Sequence, residues 1–180
     1  SKPLLEFSAS LNPLGYPPLP DGWEDGIEHY PDNTYSELKR VAGRFFGVPS
    51  ECVIPGNGSS ELIRLFAEVV YEKGDVAIIA APTFEGYEFS CRMFGADVRR
   101  FSYWRLLQGE FPDVSGVKAL YVCNPNNPTG SLIKSDSILK FIELCLENDT
   151  FLFLDEVFIE LSEPDESVSS CVVEYPNLFI

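Results

Sequence analysis

Short apolar runs with no polar interruption set the tightest limit on what this chain can fold into. Residues 76–81 read Val-Ala-Ile-Ile-Ala-Ala, 119–123 read Ala-Leu-Tyr-Val-Cys, and 151–154 read Phe-Leu-Phe-Leu. Such runs are too short to span a bilayer. Lacking alternation, they cannot lie on a sheet with one wet face, so they belong to strands covered on both sides, as in a parallel sheet. Between them the apolar spacing becomes helical. Leu38, Val41, Ala42, Phe45 and Phe46 form one stripe that stops at Gly47, and Leu62, Leu65, Phe66, Val69 and Val70 form another that begins at Ser59. Further helices are expected over 86–94 and 138–147, and further strands over 52–54, 97–103 and, just opening, 177–180. Strands alternating with helices define an α/β fold, a mostly parallel sheet with helices on both faces. Residues 1–34, rich in Pro and Gly, read as an N-terminal arm, and 35–180 as the sheet domain.

Composition narrows the partners. Thirteen Lys plus Arg against 28 Asp plus Glu leave a net charge of −15, which argues against a nucleic-acid partner because phosphate binding needs surplus cations. One His and five Cys with no CxxC spacing offer no His-built metal site, and the cysteines read as reduced thiols in apolar runs. The sequence opens Ser1-Lys2-Pro3 with no apolar leader. A reduced, cytoplasmic, metal-free protein with no membrane partner is expected.

In sheets of this class ligands bind at the carboxyl ends of the strands, and polar residues gather there. Gly56-Asn57-Gly58-Ser59-Ser60 leads into a helix, Pro82-Thr83-Phe84 follows the 76–81 run, Asn124-Pro125-Asn126-Asn127-Pro128-Thr129-Gly130 follows 119–123, and Asp155 ends 151–154. The glycine turn is not a Walker loop, since no Lys follows, and Glu61 replaces the third Gly of a dinucleotide fingerprint. It is either an anion cradle at a helix start or a plain start with Ser59 as N-cap. Phe84 could be a core aromatic and Asn127 a turn former between prolines. Asp155, at the rim of a dry layer, needs a donor or cation beside it, or else caps the following segment.

Taken together, Asn126-Asn127-Pro128-Thr129-Gly130, Asp155-Glu156-x-Phe158, Asn12-Pro13-Leu14-Gly15, Tyr30-Pro31-Asp32, Gly56-Asn57-Gly58 and Pro82-Thr83-Phe84 with Tyr87 resemble the fold-type-I pyridoxal-phosphate enzymes, the class I/II aminotransferases. Their order and spacing are similar to the branch containing histidinol-phosphate aminotransferase and threonine-phosphate decarboxylase. The resemblance implies pyridoxal 5'-phosphate as cofactor and a small, phosphorylated amino acid as substrate. It implies that Asp155 pairs with the pyridinium nitrogen, Asn127 donates to the ring phenolate oxygen and Phe84 stacks on the ring. Gly58 and Ser59 would hold the phosphate, Tyr30 would reach a phosphate in the neighbouring subunit of a homodimer, and Asn12 would lie near the substrate.

Three positions depart from the pattern. The family's Schiff-base lysine lies beyond the Asp-Glu strand, whereas the lysines here (Lys2, Lys39, Lys73, Lys118, Lys134 and Lys140) all precede Asp155. Phe158 stands where most transaminases have Tyr, as in threonine-phosphate decarboxylase, but Ser10 stands where that decarboxylase has Asn. The expectation is therefore a fragment holding the arm and part of the cofactor-binding large domain. It lacks the C-terminal small domain and is inactive alone, although its parent is an aminotransferase or decarboxylase. The rivals are a non-catalytic phosphate-binding module and, less well supported by the glycine spacing, a dinucleotide-dependent oxidoreductase.

Overall fold

The computed structural model describes residues 14–180, which fall into two units, one ending at Tyr35 and one spanning Ser36–Ile180. Within the described part of the first, a single 3-10 turn, Trp23–Glu28, is the regular structure.

The second unit holds helix α1 (Ser36–Phe46), α2 (Ser59–Val70), strand β1 (Val76–Ala81), α3 (Gly86–Met93), β2 (Asp97–Ser102), α4 (Tyr103–Leu107), β3 (Ala119–Cys123), α5 (Ser135–Glu147), β4 (Phe151–Asp155) and β5 (Leu178–Phe179). The strands form one sheet in the order β2-β1-β3-β4-β5, every neighbouring pair parallel. The apolar runs occupy its centre, as their unbroken hydrophobicity requires.

Side-chain parity divides the core in two. Ala77 and Ile79 of β1, Ala119, Tyr121 and Cys123 of β3, and Phe153 of β4 pack with Ile63, Phe66 and Ala67 of α2 and with Tyr87 and Cys91 of α3. The alternate residues, Ile78, Ala80, Leu120, Val122, Leu152 and Leu154, pack with Tyr103 and Leu106 of α4 and with Ile138, Phe141, Ile142 and Cys145 of α5. By the same alternation Asp155, two residues beyond Phe153, belongs to the α2/α3 face. On the exposed edge β2 carries Arg99 and Arg100, charges that discourage pairing with another sheet. Arg100 meets Glu88 of α3 at 2.7 Å and, hydrogen-bonded to it, holds that carboxyl below the usual range.

Three expectations change. Residues 52–54 form no strand. A three-residue run has no ladder unless a neighbour supplies one, and here the N–H groups of Cys52 and Val53 turn locally onto Pro49 O at 3.0 Å and Ser50 O at 3.2 Å. The strand expected over 97–103 stops at Ser102, because Tyr103 opens α4 and buries its ring with Leu106. The apolar stripe of α1 stays largely outside the core: Leu38, Val41 and Phe45 are exposed, and the helix buries Gly43 alone.

Phe66 is the hub of the α2/α3 face. Its ring meets Phe179 at 4.7 Å, Phe153 at 5.0 Å and Tyr121 at 5.8 Å, all edge-on. Phe66→Ala should cost about 3–5 kcal/mol in denaturant unfolding, the range for emptying an aromatic site in a core. Val69→Ala, on the exposed side of the same helix, should stay within about 0.5 kcal/mol of the parent.

Candidate functional site

The chain runs outward from β1 to β2 and then returns to place β3 on the other flank of β1. Successive connections therefore diverge at the carboxyl ends of β1 and β3 and leave a crevice there. A cavity of about 170 Å³ opens beside these ends, lined by Ser59, Ser60, Phe84, Tyr87, Cys123, Asn127, Asp155, Val157 and Phe158. Ser59, Phe84, Asn127 and Asp155, singled out from the sequence at four separate places, thus share one wall system. Gly58 adjoins Ser59 at the start of α2. Tyr30 lies in the other unit, where its side chain is fully exposed, and Asn12 and Ser10 fall outside the described residues.

Asp155 is 8% exposed, and both its oxygens are engaged. The Tyr87 hydroxyl donates to Oδ2 at 2.6 Å, and the Val157 N–H donates to Oδ1 at 3.0 Å. The buried carboxylate thus has its donors, but it does not cap the following segment: the 3-10 turn Ile159–Leu161 has Phe158 as its N-cap with no side-chain cap, and the Val157 bond closes only a two-residue turn. Burial, reinforced by Asp155, pushes the Tyr87 phenol far above its ordinary value, so this residue remains a proton donor. Cys123 lies opposite Asp155 in the β3–β4 register. Burial raises its thiol too, and the S–H points to Pro125 O at 3.2 Å.

The glycine turn differs from the expected cap. The N-cap of α2 is Gly58, with φ 81 and ψ 163 and no side-chain cap, a backbone conformation that essentially only glycine adopts. This residue turns the chain one position early, so Ser59 is already helical and does not cap. The N–H groups of Ser59 and Ser60 have no partner among the described residues, which leaves the positive end of α2 open towards the cavity.

The three asparagines after β3 separate by role. Asn124 clasps Ile133 twice, accepting its N–H at 2.7 Å and donating to its carbonyl at 2.8 Å. Asn126 donates to Pro82 O and to Thr129 Oγ1, each at 2.9 Å, tying the loop after β3 to the loop after β1 across the crevice. The Asn127 side-chain amide has no partner among the described residues and is the one on the cavity. Phe84 stands edge-on to Tyr87 with ring centres 5.6 Å apart. A Cβ on Gly86 would overlap the Phe84 ring, so the glycine makes room for that aromatic wall.

The sequence did not point to Cys123 as a site residue, and pointed to Ser60 and Tyr87 only as parts of motifs. The parity of β3 against β4 was the available signal for Cys123, whereas the Tyr87–Asp155 contact spans 68 residues of chain and has no local signature. Just past the same end of β4, Glu156 accepts from Ser167 Oγ at 2.6 Å and Val168 N at 3.0 Å. Burial outweighs these bonds and raises its carboxyl.

The donor set suits a flat anionic ligand with a cationic ring nitrogen: free N–H groups on one wall, a carboxylate on another, an aromatic face and an unengaged amide. Among the described residues no group of three His, Cys, Asp or Glu could hold a metal ion, and no helix is long and apolar enough to cross a membrane.

Comparison with known proteins yields the same set of relationships. The family model "Aminotransferase class I and II" matches residues 21–180. Histidinol-phosphate aminotransferase of Ruminiclostridium cellulolyticum is 34% identical over 159 residues, which cover 84% of this chain and 43% of that protein. Threonine-phosphate decarboxylase of Salmonella typhimurium is 32% identical over 191 residues, covering 98% of this chain and 51% of that protein. The crystal structure of histidinol-phosphate aminotransferase from Clostridium acetobutylicum superposes with a TM-score of 0.75 at 25% identity, over 97% of this chain and 54% of that one. The chain spans about half, or less, of the length of these relatives.

Replacing Tyr87 by Phe leaves the ring and removes the O–H from a buried carboxylate. Tyr87→Phe should therefore cost about 1.5–3 kcal/mol, the usual worth of a hydrogen bond to a charged group, measured by chemical denaturation. A loss below about 0.5 kcal/mol would show that Asp155 does not depend on this donor.

Proposed function

The chain belongs to the class I and II aminotransferase family, and from that premise we propose that it forms the arm and most of the cofactor-binding domain of a pyridoxal-phosphate enzyme acting on a small, phosphorylated amino acid. The observation that carries this reading is the convergence of Ser59, Phe84, Asn127 and Asp155 on one cavity at the strand-order reversal. The names of the relatives, histidinol-phosphate aminotransferase and threonine-phosphate decarboxylase, support the substrate class and leave two reactions in view, transamination and decarboxylation.

Bound pyridoxal phosphate supplies an electron sink for the substrate's α-carbon. The protein's part is placement and charge. Asp155, oriented by Tyr87 and Val157, keeps a lone pair on each oxygen for a ring N–H and favours the cationic form of that ring. Phe84 offers its face to a planar ligand, and Asn127 offers an N–H to a phenolate oxygen. The amides of Ser59 and Ser60, with the Ser59 hydroxyl and the glycine backbone at Gly58, take the phosphate at a helix start. Phe158 lines the cavity without a hydroxyl, one donor fewer than most transaminases place there, and this favours the decarboxylase-like alternative. In a homodimer Tyr30 would reach the partner subunit's phosphate, and Asn12 would face substrate. A cytoplasmic setting accords with soluble amino-acid metabolism.

Among the described residues no lysine lines the cavity, so this chain by itself should hold the cofactor noncovalently and catalyse nothing. Titration should show saturable binding of pyridoxal phosphate, and pyridoxal, lacking the phosphate, should bind about 10- to 100-fold more weakly, as expected for losing charge-assisted hydrogen bonds. Borohydride treatment followed by intact-mass measurement should give no stoichiometric adduct on any one lysine. A stoichiometric adduct on one lysine would contradict the assignment.

In the full-length parent, Asp155→Asn keeps the shape and removes the charge. A loss of about 2–5 kcal/mol in a dry site corresponds to roughly 30- to several-thousand-fold in turnover, with the cofactor's absorption band retained. Near-normal turnover would reduce Asp155 to a structural residue.

A further inference from the structure

We propose that Glu61 is the positioning residue of the anion-binding turn, acting by drawing the turn into place and keeping its own charge off the open start of α2. The inference rests on the cofactor reading above and concerns how that phosphate subsite is held.

Glu61 is the third residue of α2, where an acidic side chain ordinarily turns back to the helix start and satisfies its free N–H groups. Here it reaches further. Its Oε2 accepts the backbone N–H of Asn57 at 2.6 Å and the Asn57 side-chain amide at 3.1 Å, both outside the helix. The reciprocal half of a capping box is missing because the N-cap is Gly58, which has no side chain, and the Glu61 N–H turns to Gly58 O at 3.2 Å. The N–H groups of Ser59 and Ser60 therefore stay unclaimed although a carboxylate lies within the same turn.

The turn itself has little else to fix it. Gly56 and Gly58 flank Asn57, and the φ of 81 at Gly58 suits glycine because other residues are strained there. A Cβ on Gly56 would come within 2.7 Å of the Leu62 side chain and 3.2 Å of Glu61 Oε2. The loop thus lies folded down onto the first turn of α2, with the Glu61 carboxylate as its polar anchor. Without that anchor two donors of Asn57 lose their acceptor, and the backbone bearing the phosphate-facing amides is free to move. The ring-facing groups Phe84, Asn127 and Asp155 come from other loops and are not tied to this anchor.

The test is binding of pyridoxal phosphate and of pyridoxal to the 180-residue chain and its variants, with thermal unfolding as a check on the fold. Glu61→Ala should weaken pyridoxal phosphate about tenfold, the scale of one charge-assisted hydrogen bond that orders a site. It should leave pyridoxal within about twofold, since the ring contacts remain. Glu61→Gln keeps an acceptor oxygen and drops the charge, so it should bind pyridoxal phosphate as well as the parent or better. The proposal is overturned if Glu61→Ala binds pyridoxal phosphate as tightly as the parent, or if it weakens both ligands equally, which marks a general loss of structure. It is also overturned if Glu61→Gln is as weak as Glu61→Ala. Equal affinity of the parent chain for the two ligands, or no binding of either, would instead remove the phosphate reading itself.

Discussion

A parallel sheet covered on both faces can admit a polar ligand only where its connections part, and in this chain that place is set by the return of the chain from β2 to β3. Strands β1 and β3 are neighbours, yet the segments leaving their carboxyl ends travel to opposite faces, to α3 and to α5. The loops after β1, β3 and β4 therefore deliver Phe84, Asn127 and Asp155 to one crevice, while the unbroken apolar strands beneath keep it dry on its inner side. Asn126 spans the crevice by holding Pro82 O, so the two loops that must diverge are also fixed against each other.

Burial gives the Asp155 carboxylate its value and also makes it costly. A charge at the edge of a dry layer must be matched by donors, and the Tyr87 hydroxyl with the Val157 amide provides them. Both donors are neutral, so the negative charge is oriented without being cancelled and stays available to a cation in the cavity. A lysine or arginine in place of Tyr87 would satisfy the carboxylate equally well and would consume that charge. The opposite wall follows the same logic with the sign reversed. The start of α2 has no side-chain cap, and the acid of its first turn, Glu61, is engaged by Asn57 instead.

The exposed apolar stripe on α1 has a different status. Its spacing forms a helix irrespective of what covers it, so the pattern fixes the element and not its environment. In the sheet helices the two coincide: Ile63, Phe66 and Ala67 of α2 are both in phase and buried. Propensity and periodicity act within a turn or two of chain, whereas burial is a property of whatever surface arrives opposite.

The local periods and the strand-end residues already determined much of this protein. The apolar runs at 76–81, 119–123 and 151–154 could only be central strands. The polar residues that close them marked the ligand edge, and the parity from Phe151 through Phe153 put Asp155 on a definite face. Tertiary structure decided the rest. It gave residues 52–54 no neighbouring strand, so Cys52 closes a 3-10 turn that begins at Ser50 and Val53 runs on extended but unpaired. It started α2 at Ser59 behind a glycine in a conformation other residues avoid, and separated Asn127 from Asn124 and Asn126 by what each touches. It also brought the Tyr87 hydroxyl to Asp155 across 68 residues. Local sequence encodes torsional preference and the side of an element that seeks burial. Which donor meets which acceptor depends on the order in which strands assemble, and that order is fixed only when the whole sheet packs.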